Sequence, residues 1–417
     1  MLHFLWKRHV RPWYLYGRNL HHRRTDWRDR DPFALIYVHI PFCRSFCSYC
    51  NFYSSTKLRE INPVLECIKQ EWIRERDRWL DLWRSGTYPL RHTLYIGGGT
   101  PSVCTAAELA PILDLLCNDL KNNAMEPSEV TLEANPGDLT PAYCSALFDF
   151  GVNRLSIGVQ SFEDTHLRAM KRRHTAGEGI NAVKVARTAG FRNISLDLIF
   201  GFPGLTMSQW KESLRQAVAL SPEHISAYQL SLEPASPWGK QGLLPPQEDC
   251  AAQYGYLQEF LAGRGYAQYE VSSFCLPGKE SLHNSGYWIR TPYIGLGPAA
   301  HSFNGRDRYA NVSHLGRYVQ GIEKGSPART YDRLTPRDRH NEWVMLQLRT
   351  VEGLSITGLQ EREGAEALER FLKQIAPLLG RGLLEYSLSE RKHTRVRIPP
   401  DRLFVSDDII RDCLLPV

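Results

Sequence analysis

No stretch of this chain approaches the ~18 consecutive apolar residues that a membrane-spanning helix needs, although apolar residues make up 42% of it. Internal repeats and low-complexity tracts are also missing, which excludes a solenoid or a polymer-like tail. Acidic residues are absent from the first 25 positions, where six basic ones stand (Lys7, Arg8, Arg11, Arg18, Arg23, Arg24). Setting those six aside brings the 51 Lys and Arg down to 45, equal to the 45 Asp and Glu, so the net charge of +6 belongs to the N-terminal arm. A neutral body lacks the basic face of a general nucleic-acid binder, and no nucleic-acid partner is expected. The arm, residues 1–32, reads as a solvated extension on a cytoplasmic protein. The alternative is a mitochondrial targeting peptide, since the arm is Arg-rich and acid-poor, yet it has little serine and weak amphipathic order.

A secretory-signal pattern is lacking too, and ten cysteines in 417 residues do not make a small disulfide-dense architecture. Closely spaced cysteines then read as metal ligands rather than bridges. Seven of them (Cys67, Cys104, Cys117, Cys144, Cys250, Cys275, Cys413) are scattered singly, and most of these are expected in the core. The other three crowd into "CRSFCSYCNF", where Cys43, Cys47 and Cys50 have C-x3-C-x2-C spacing. No fourth cysteine follows, and there is no second C-x2-C pair of the kind that closes a structural zinc site. Three thiolates at this spacing can each bind a different iron of a four-iron four-sulfur (4Fe-4S) cluster, leaving one iron open to an outside ligand.

The length allows one large α/β domain and a smaller one. Over the first 235 residues six β-rich runs alternate with helical patterns: "LIYVHI", "TLYIGGG", "EVTLEAN", "RLSIGVQ", "NISLDLIFG" and "HISAYQLSL". Their near-continuous hydrophobicity suits strands buried on both faces of a parallel sheet. Thr105 with Glu108, Thr175 with Glu178 and Thr206 with Gln209 match the capping box. Asn62-Pro63 and Thr140-Pro141 place a cap before a proline suited to the first helical turn. Six β-α units in order predict an α/β fold, a partial parallel (β/α)6 TIM-like barrel. The polar and glycine-rich residues stand where each strand runs out: the cysteine loop, "GGGTPS", "EANP", "GVQS", and Asp197 before "GFPG". In β/α barrels that rim is the active face, so one shared site is expected there.

After about residue 245 a helix, "EDCAAQYGYLQEFLAGRGY", leads to a strand, "AQYEVSSF", then to "HNSGYW" and "YIGLGPAAHS". From about residue 330 a small, mostly helical unit with a short β element resembles a winged helix. Its "PPDR" is no basic recognition surface, so DNA binding does not follow from that likeness. The expected divisions are a basic extension (1–32), the barrel (33–245), a barrel-closing extension (246–329) and the C-terminal unit (330–417).

The C-x3-C-x2-C loop after the first strand is similar to the signature of the radical S-adenosylmethionine (SAM) superfamily. The resemblance implies that the methionine moiety of SAM binds the open iron, and that an electron from the cluster cleaves SAM to a 5′-deoxyadenosyl radical. It implies SAM contacts from Gly98, Gly99 and Thr100, whose backbone permits close approach. Glu133, Gln160 and Asp197 are acceptors suited to ribose hydroxyls or an ammonium. Arg172 can offset a carboxylate, and Tyr37 and Tyr49 flank the cluster. His301 is expected to shape the lid over SAM.

"YVHIPFCRSFCSYCNF", "IGGGTPS", "LEANP", "NRLSIGVQSF", "LDLIFGFPG" and "YQLSLEP", in that order, resemble the coproporphyrinogen oxidase (HemN) branch over roughly residues 33–305. The oxidases of that branch carry a further cysteine two residues after the third, where this chain has Phe52. The HemW-type haem chaperones lack it and carry H-N-x-x-Y-W, matched here by His283, Asn284, Tyr287 and Trp288. A neutral imidazole is a good haem-iron ligand, and aromatic faces pack on a macrocycle. His301 and Cys275 are further candidate ligands. The resemblance implies a 4Fe-4S cluster, SAM and haem as cofactors, haem-accepting proteins as partners, and an electron donor such as a flavodoxin or ferredoxin. Two alternatives stay open: oxidative decarboxylation of coproporphyrinogen III, which Phe52 and the H-N-x-x-Y-W motif oppose, and another radical SAM reaction on a tetrapyrrole.

Overall fold

Six of the apolar runs become six parallel strands. A computed structural model describes residues 33–84, 91–231, 236–241, 247–388 and 393–416; the basic arm and its targeting lie outside them. The strands β1 (Phe33–Ile40), β2 (Arg91–Gly98), β3 (Pro127–Ala134), β4 (Arg154–Gln160), β5 (Ile194–Phe200) and β6 (His224–Gln229) pair in sequence order. Helices α1 (Ile61–Arg84), α2 (Ala106–Asn122), α3 (Pro141–Asp149), α4 (Asp164–Ala169), α5 (Ala176–Thr188) and α6 (Met207–Ala219) link them. All three capping boxes form, and Thr140 caps α3 with Pro141 behind it. Asn62 does not cap α1, because a 3-10 turn over Leu58–Glu60 runs straight into a helix that starts at Ile61.

The two faces of the sheet differ. The outward rows, such as Ala34, Ile36, Val38 and Ile40 of β1 and Leu155, Ile157 and Val159 of β4, join the apolar core with Val64, Ile68 and Trp72 of α1. Each such aliphatic side chain contributes roughly 1.5–3 kcal/mol on burial. The alternate rows point inward and are polar: Thr93 and Tyr95, Glu129, Thr131 and Glu133, Arg154 and Ser156, Ser195 and Asp197. The continuous hydrophobicity read from the sequence therefore belongs to one face. A barrel filled by aliphatic layers is the usual case, and this one instead has polar and ionisable side chains in its interior.

After α7 (Gln247–Ala262) the expected strand "AQYEVSSF" is a tight hairpin of β7 (Ala267–Gln268) and β8 (Ser273–Cys275). Glu270 turns the chain there by accepting the Ser272 N–H at 2.9 Å. The HNxxYW motif then forms a helix, α8 (Leu282–Trp288), capped by Ser281. The sheet ends with β9 (Tyr293–Leu296), parallel beside β1, then β10 (His301–Phe303) and β11 (Arg308–Asn311). After α9 (Leu315–Glu323) comes the edge strand β12 (Arg329–Asp332). On the other side β8 lies antiparallel on β6, and among the described residues the two edges do not pair, so the barrel is open.

The C-terminal region has α10 (Pro336–Leu348), β13 (Leu354–Ser355), α11 (Ile356–Glu363), α12 (Ala365–Gly380), β14 (Glu385–Leu388), β15 (Thr394–Arg397) and α13 (Ser406–Asp412). Its three strands make a separate antiparallel sheet. It touches the HNxxYW helix, where Gln347 of α10 donates to the Trp288 carbonyl at 2.8 Å.

Candidate functional site

A cavity of about 860 Å³ opens at the C-terminal ends of the six strands. Cys43, Cys47 and Cys50 line it together with Tyr49, Gly98, Gly99, Thr100, Glu133, Gln160, Arg172 and Asp197. Eleven of the residues singled out in the sequence are thus brought to one wall by six different segments.

The cysteine loop is pinned at several points. The Gly99 N–H donates to the Ile40 carbonyl and the Thr100 N–H to that of Phe42, at 2.9 and 2.8 Å. The Thr100 hydroxyl lies 3.4 Å from the Cys43 sulfur. Ser48 donates from its backbone to Met170 and from its hydroxyl to Ala169. A Cβ on Gly99 would stand 2.8 Å from the Phe42 carbonyl and 3.0 Å from the Cys43 sulfur, so only glycine admits this approach. Burial, foremost, raises the Cys43 and Cys50 thiols above their ordinary values. A thiolate there needs a strong cationic partner, which bound iron supplies. No three His, Cys, Asp or Glu side chains among the described residues gather closely enough to hold a single metal ion. Three separated thiols on one cavity wall instead fit a cluster in which each sulfur takes its own iron.

Two carboxyls line the same cavity as the thiols. Glu133 accepts from the Tyr95 hydroxyl at 2.8 Å and from the Gly98 N–H at 3.1 Å. Burial pushes it up to about 7, and Asp197 beside it adds to the rise. Asp197 accepts from Ser156 at 3.1 Å and is pushed up to about 6, again by burial. Gln160 reaches the cavity through an irregularity at the end of β4, with φ at 65° in the left-handed region. Such a conformation is disfavoured for a residue with a side chain and persists only where the surrounding structure holds it. Arg172 donates to the Gly158 carbonyl at 2.6 Å and to the Cys47 sulfur at 3.6 Å.

Residues 37–217 match the radical SAM superfamily, and residues 334–388 match the HemN C-terminal domain. The chain is 36% identical to "Heme chaperone HemW" of Bacillus subtilis (strain 168) over 360 residues, 85% of this chain and 93% of that one. It belongs to the HemW family. "Heme chaperone HemW" of Lactococcus lactis is 33% identical over 86% of this chain and 92% of its own length. The fold matches the solved structure of coproporphyrinogen III oxidase (HemN) from Escherichia coli with a TM-score of 0.76. That match has 21% identity and covers 92% of this chain and 90% of the other.

In this HemW-family chain the HNxxYW residues lie beneath the cavity rather than on its wall. His283 is buried, its Nδ1 2.8 Å from the Thr93 hydroxyl and its Nε2 2.9 Å from that of Tyr287. Burial, with Arg154 adding to it, drives the imidazole down to about 3, so it is neutral at physiological pH. Tyr287 packs edge-on against the His283 ring at 5.1 Å. The Trp288 indole N–H is buried without a hydrogen-bond partner among the described residues, and Asn284 is half-buried with its backbone N–H on Ser281. Tyr37 also lies below the cavity, its hydroxyl 3.1 Å from His39. His301 is exposed on β10, away from the cavity wall, and Cys275 is buried in β8.

Residues that carry the site without having been expected are Tyr95, Glu129, Arg154 and Ser156. Glu129 accepts from the backbone of Leu282 and His283, at 2.9 and 3.0 Å, and so holds the start of the HNxxYW helix. The available signal was strand alternation: each lies two or four residues before a rim residue, on the same inward row. Phe46 and Phe52 line the mouth of the cavity at 53% and 74% exposure, where an apolar ligand face could meet them.

Proposed function

We infer that the protein is a haem chaperone of the radical SAM superfamily, holding a 4Fe-4S cluster, SAM and haem and passing haem to acceptor proteins. The family membership supports this reading. The observation that carries it in the structure is the meeting, in one cavity, of three thiols with Glu133, Gln160, Arg172 and Asp197, directly above a HNxxYW helix. When bound, the cluster and SAM supply one-electron chemistry. In our assignment Cys43, Cys47 and Cys50 hold the cluster. Gly98 and Gly99, without a Cβ, let the SAM headgroup come close to the backbone and Thr100 adds its hydroxyl, while Glu133, Gln160 and Asp197 accept hydrogen bonds from its hydroxyl and ammonium groups. Arg172 balances the carboxylate, Tyr49 bounds the adenosyl space and Tyr37 supports it from below, while His301 stands outside the cavity lining.

His283 is the proposed haem ligand, with Asn284, Tyr287 and Trp288 framing the macrocycle. The imidazole is already neutral, the form that ligates iron; both its nitrogens are hydrogen-bonded, and a shift of α8 away from β2 frees Nδ1 from Thr93. A flavodoxin or ferredoxin is the proposed electron donor, and the cytoplasm the proposed compartment. No helix among the described residues is long and apolar enough to cross a membrane. The proposed divisions of the chain are 1–32, 33–245, 246–329 and 330–417.

The test is a pair of anaerobic assays on cluster-reconstituted protein. Haem is titrated into one sample; coproporphyrinogen III, SAM and reductant are added to the other. Stoichiometric haem uptake that weakens in His283→Ala, without protoporphyrinogen, is expected. Turnover of the porphyrinogen would instead assign the oxidase reaction.

A further inference from the structure

Between the cavity and the HNxxYW helix stands one side chain that touches both. Tyr95 is on the inward row of β2 and only 8% exposed. Its hydroxyl donates to Glu133 at 2.8 Å, and its ring lies 4.9 Å from the His283 ring, tilted by 33°. Two residues earlier on the same strand, Thr93 bonds His283 Nδ1. β2 therefore grips the imidazole twice while its end forms the glycine rim of the cavity.

We propose that Tyr95 is a positioning residue that couples the two sites, so that SAM engaged at Glu133 keeps His283 seated and the two ligands, SAM and haem, oppose one another. The proposal rests on His283 as haem ligand and Glu133 as SAM contact. The element with two states is the Tyr95–Glu133 pair. An ionised Glu133 accepts the Tyr95 proton firmly; a protonated one does not require it. Near neutrality both forms are populated, because burial raises Glu133 to about 7. Ribose or ammonium donors of SAM select the ionised form, fix the Tyr95 hydroxyl and hold its ring against His283. Haem needs the opposite, an α8 displaced from β2 so that the imidazole Nδ1 is freed from Thr93. By linkage each ligand weakens the other by the same factor.

The groups facing Glu133 are Tyr95 from β2, Tyr37 from β1, Arg154 from β4, Asp197 from β5, Tyr228 from β6 and Tyr287 from α8. Arg154 is the cation of the set and favours the ionised form. Above about pH 8 Glu133 is ionised with or without SAM, and the coupling should fade.

The experiment uses cluster-reconstituted full-length protein, anaerobic and without reductant. Haem is titrated by Soret absorbance with and without saturating SAM, and SAM by calorimetry with and without haem. In the wild type SAM is expected to raise the haem Kd on the order of tenfold at pH 7, with the reciprocal effect on SAM. Tyr95→Phe keeps the ring and deletes the hydroxyl, and its ratio should fall close to one. Should that variant fold poorly, the wild-type ratio at pH 9 gives the second reading and should also approach one. An unchanged ratio in Tyr95→Phe, a ratio that persists at pH 9, or no coupling in the wild type would overturn the proposal. Haem affinity unaffected by His283→Ala would instead remove the haem assignment on which it stands.

Discussion

Arg172 places one guanidinium nitrogen 3.6 Å from the Cys47 sulfur and the other 2.6 Å from the Gly158 carbonyl. One half-buried cation thus ties the cysteine loop to the end of β4. A hydrogen bond to a charged group contributes about 1.5–3 kcal/mol, and lysine, a point charge, cannot reproduce the fork. Arg172→Lys should retain the cluster and lose roughly tenfold or more in SAM affinity. Arg172→Met should lose iron as well. Iron content and SAM calorimetry on the two variants check both statements.

Gly99 makes a sharper prediction about the cluster loop. Its absent Cβ leaves the space taken by the Phe42 carbonyl and the Cys43 sulfur. Backbone cannot move aside as a flexible side chain does, so Gly99→Ala must displace Cys43. Reconstituted Gly99→Ala should carry much less iron and sulfide than wild type, while its apo form melts only a few degrees lower. A full complement of iron in this variant would remove the close approach from the account of the site.

The raised carboxyls give a pH dependence with a definite sign. Glu133 and Asp197 have ordinary values of 4.5 and 3.8 and folded values of about 7 and about 6. The folded protein holds these protons more tightly than the unfolded chain does. Their contribution to stability is therefore full below about pH 4 and is lost as the pH rises past about 7. Glu133→Gln removes the cost of a buried anion. It should melt about 2–4 °C above wild type at pH 8 and together with it at pH 4, in SAM-free protein scanned by calorimetry.

Much of this architecture was legible in the residues, for local reasons. The capping boxes at Thr105, Thr175 and Thr206 are complete within four residues, so no tertiary knowledge was needed to place those helix starts. The rim was legible because cysteine spacing and glycine runs are rare patterns with few meanings. What stayed hidden depends on partners distant in sequence. The hairpin at Tyr269 reads as one strand until the Glu270 side chain is seen to turn it. Tyr95 and Glu129 look like ordinary strand residues, and their roles come from His283 and Leu282 arriving more than 150 residues later. The polar interior row was visible in alternation, yet the apolar neighbours between its members masked it.

Glu129 decides whether α8 is a fixed strut or a movable carrier of the imidazole. Its carboxylate receives the backbone N–H groups of Leu282 and His283, and Ser281 lies at 3.4 Å. Removing it leaves buried donors unsatisfied, at a cost of about 1–3 kcal/mol, and loosens the helix that carries His283. Stability and haem affinity should then move in opposite directions. Glu129→Ala should melt lower than wild type, yet bind haem more tightly, because the seated conformation that competes with ligation is less populated. Glu129→Gln, which keeps one acceptor oxygen, should fall between the two on both scales. Melting curves and haem titrations of the three proteins settle the matter: if affinity falls along with stability, α8 is a strut, and haem binds to His283 in the seated geometry or not at all.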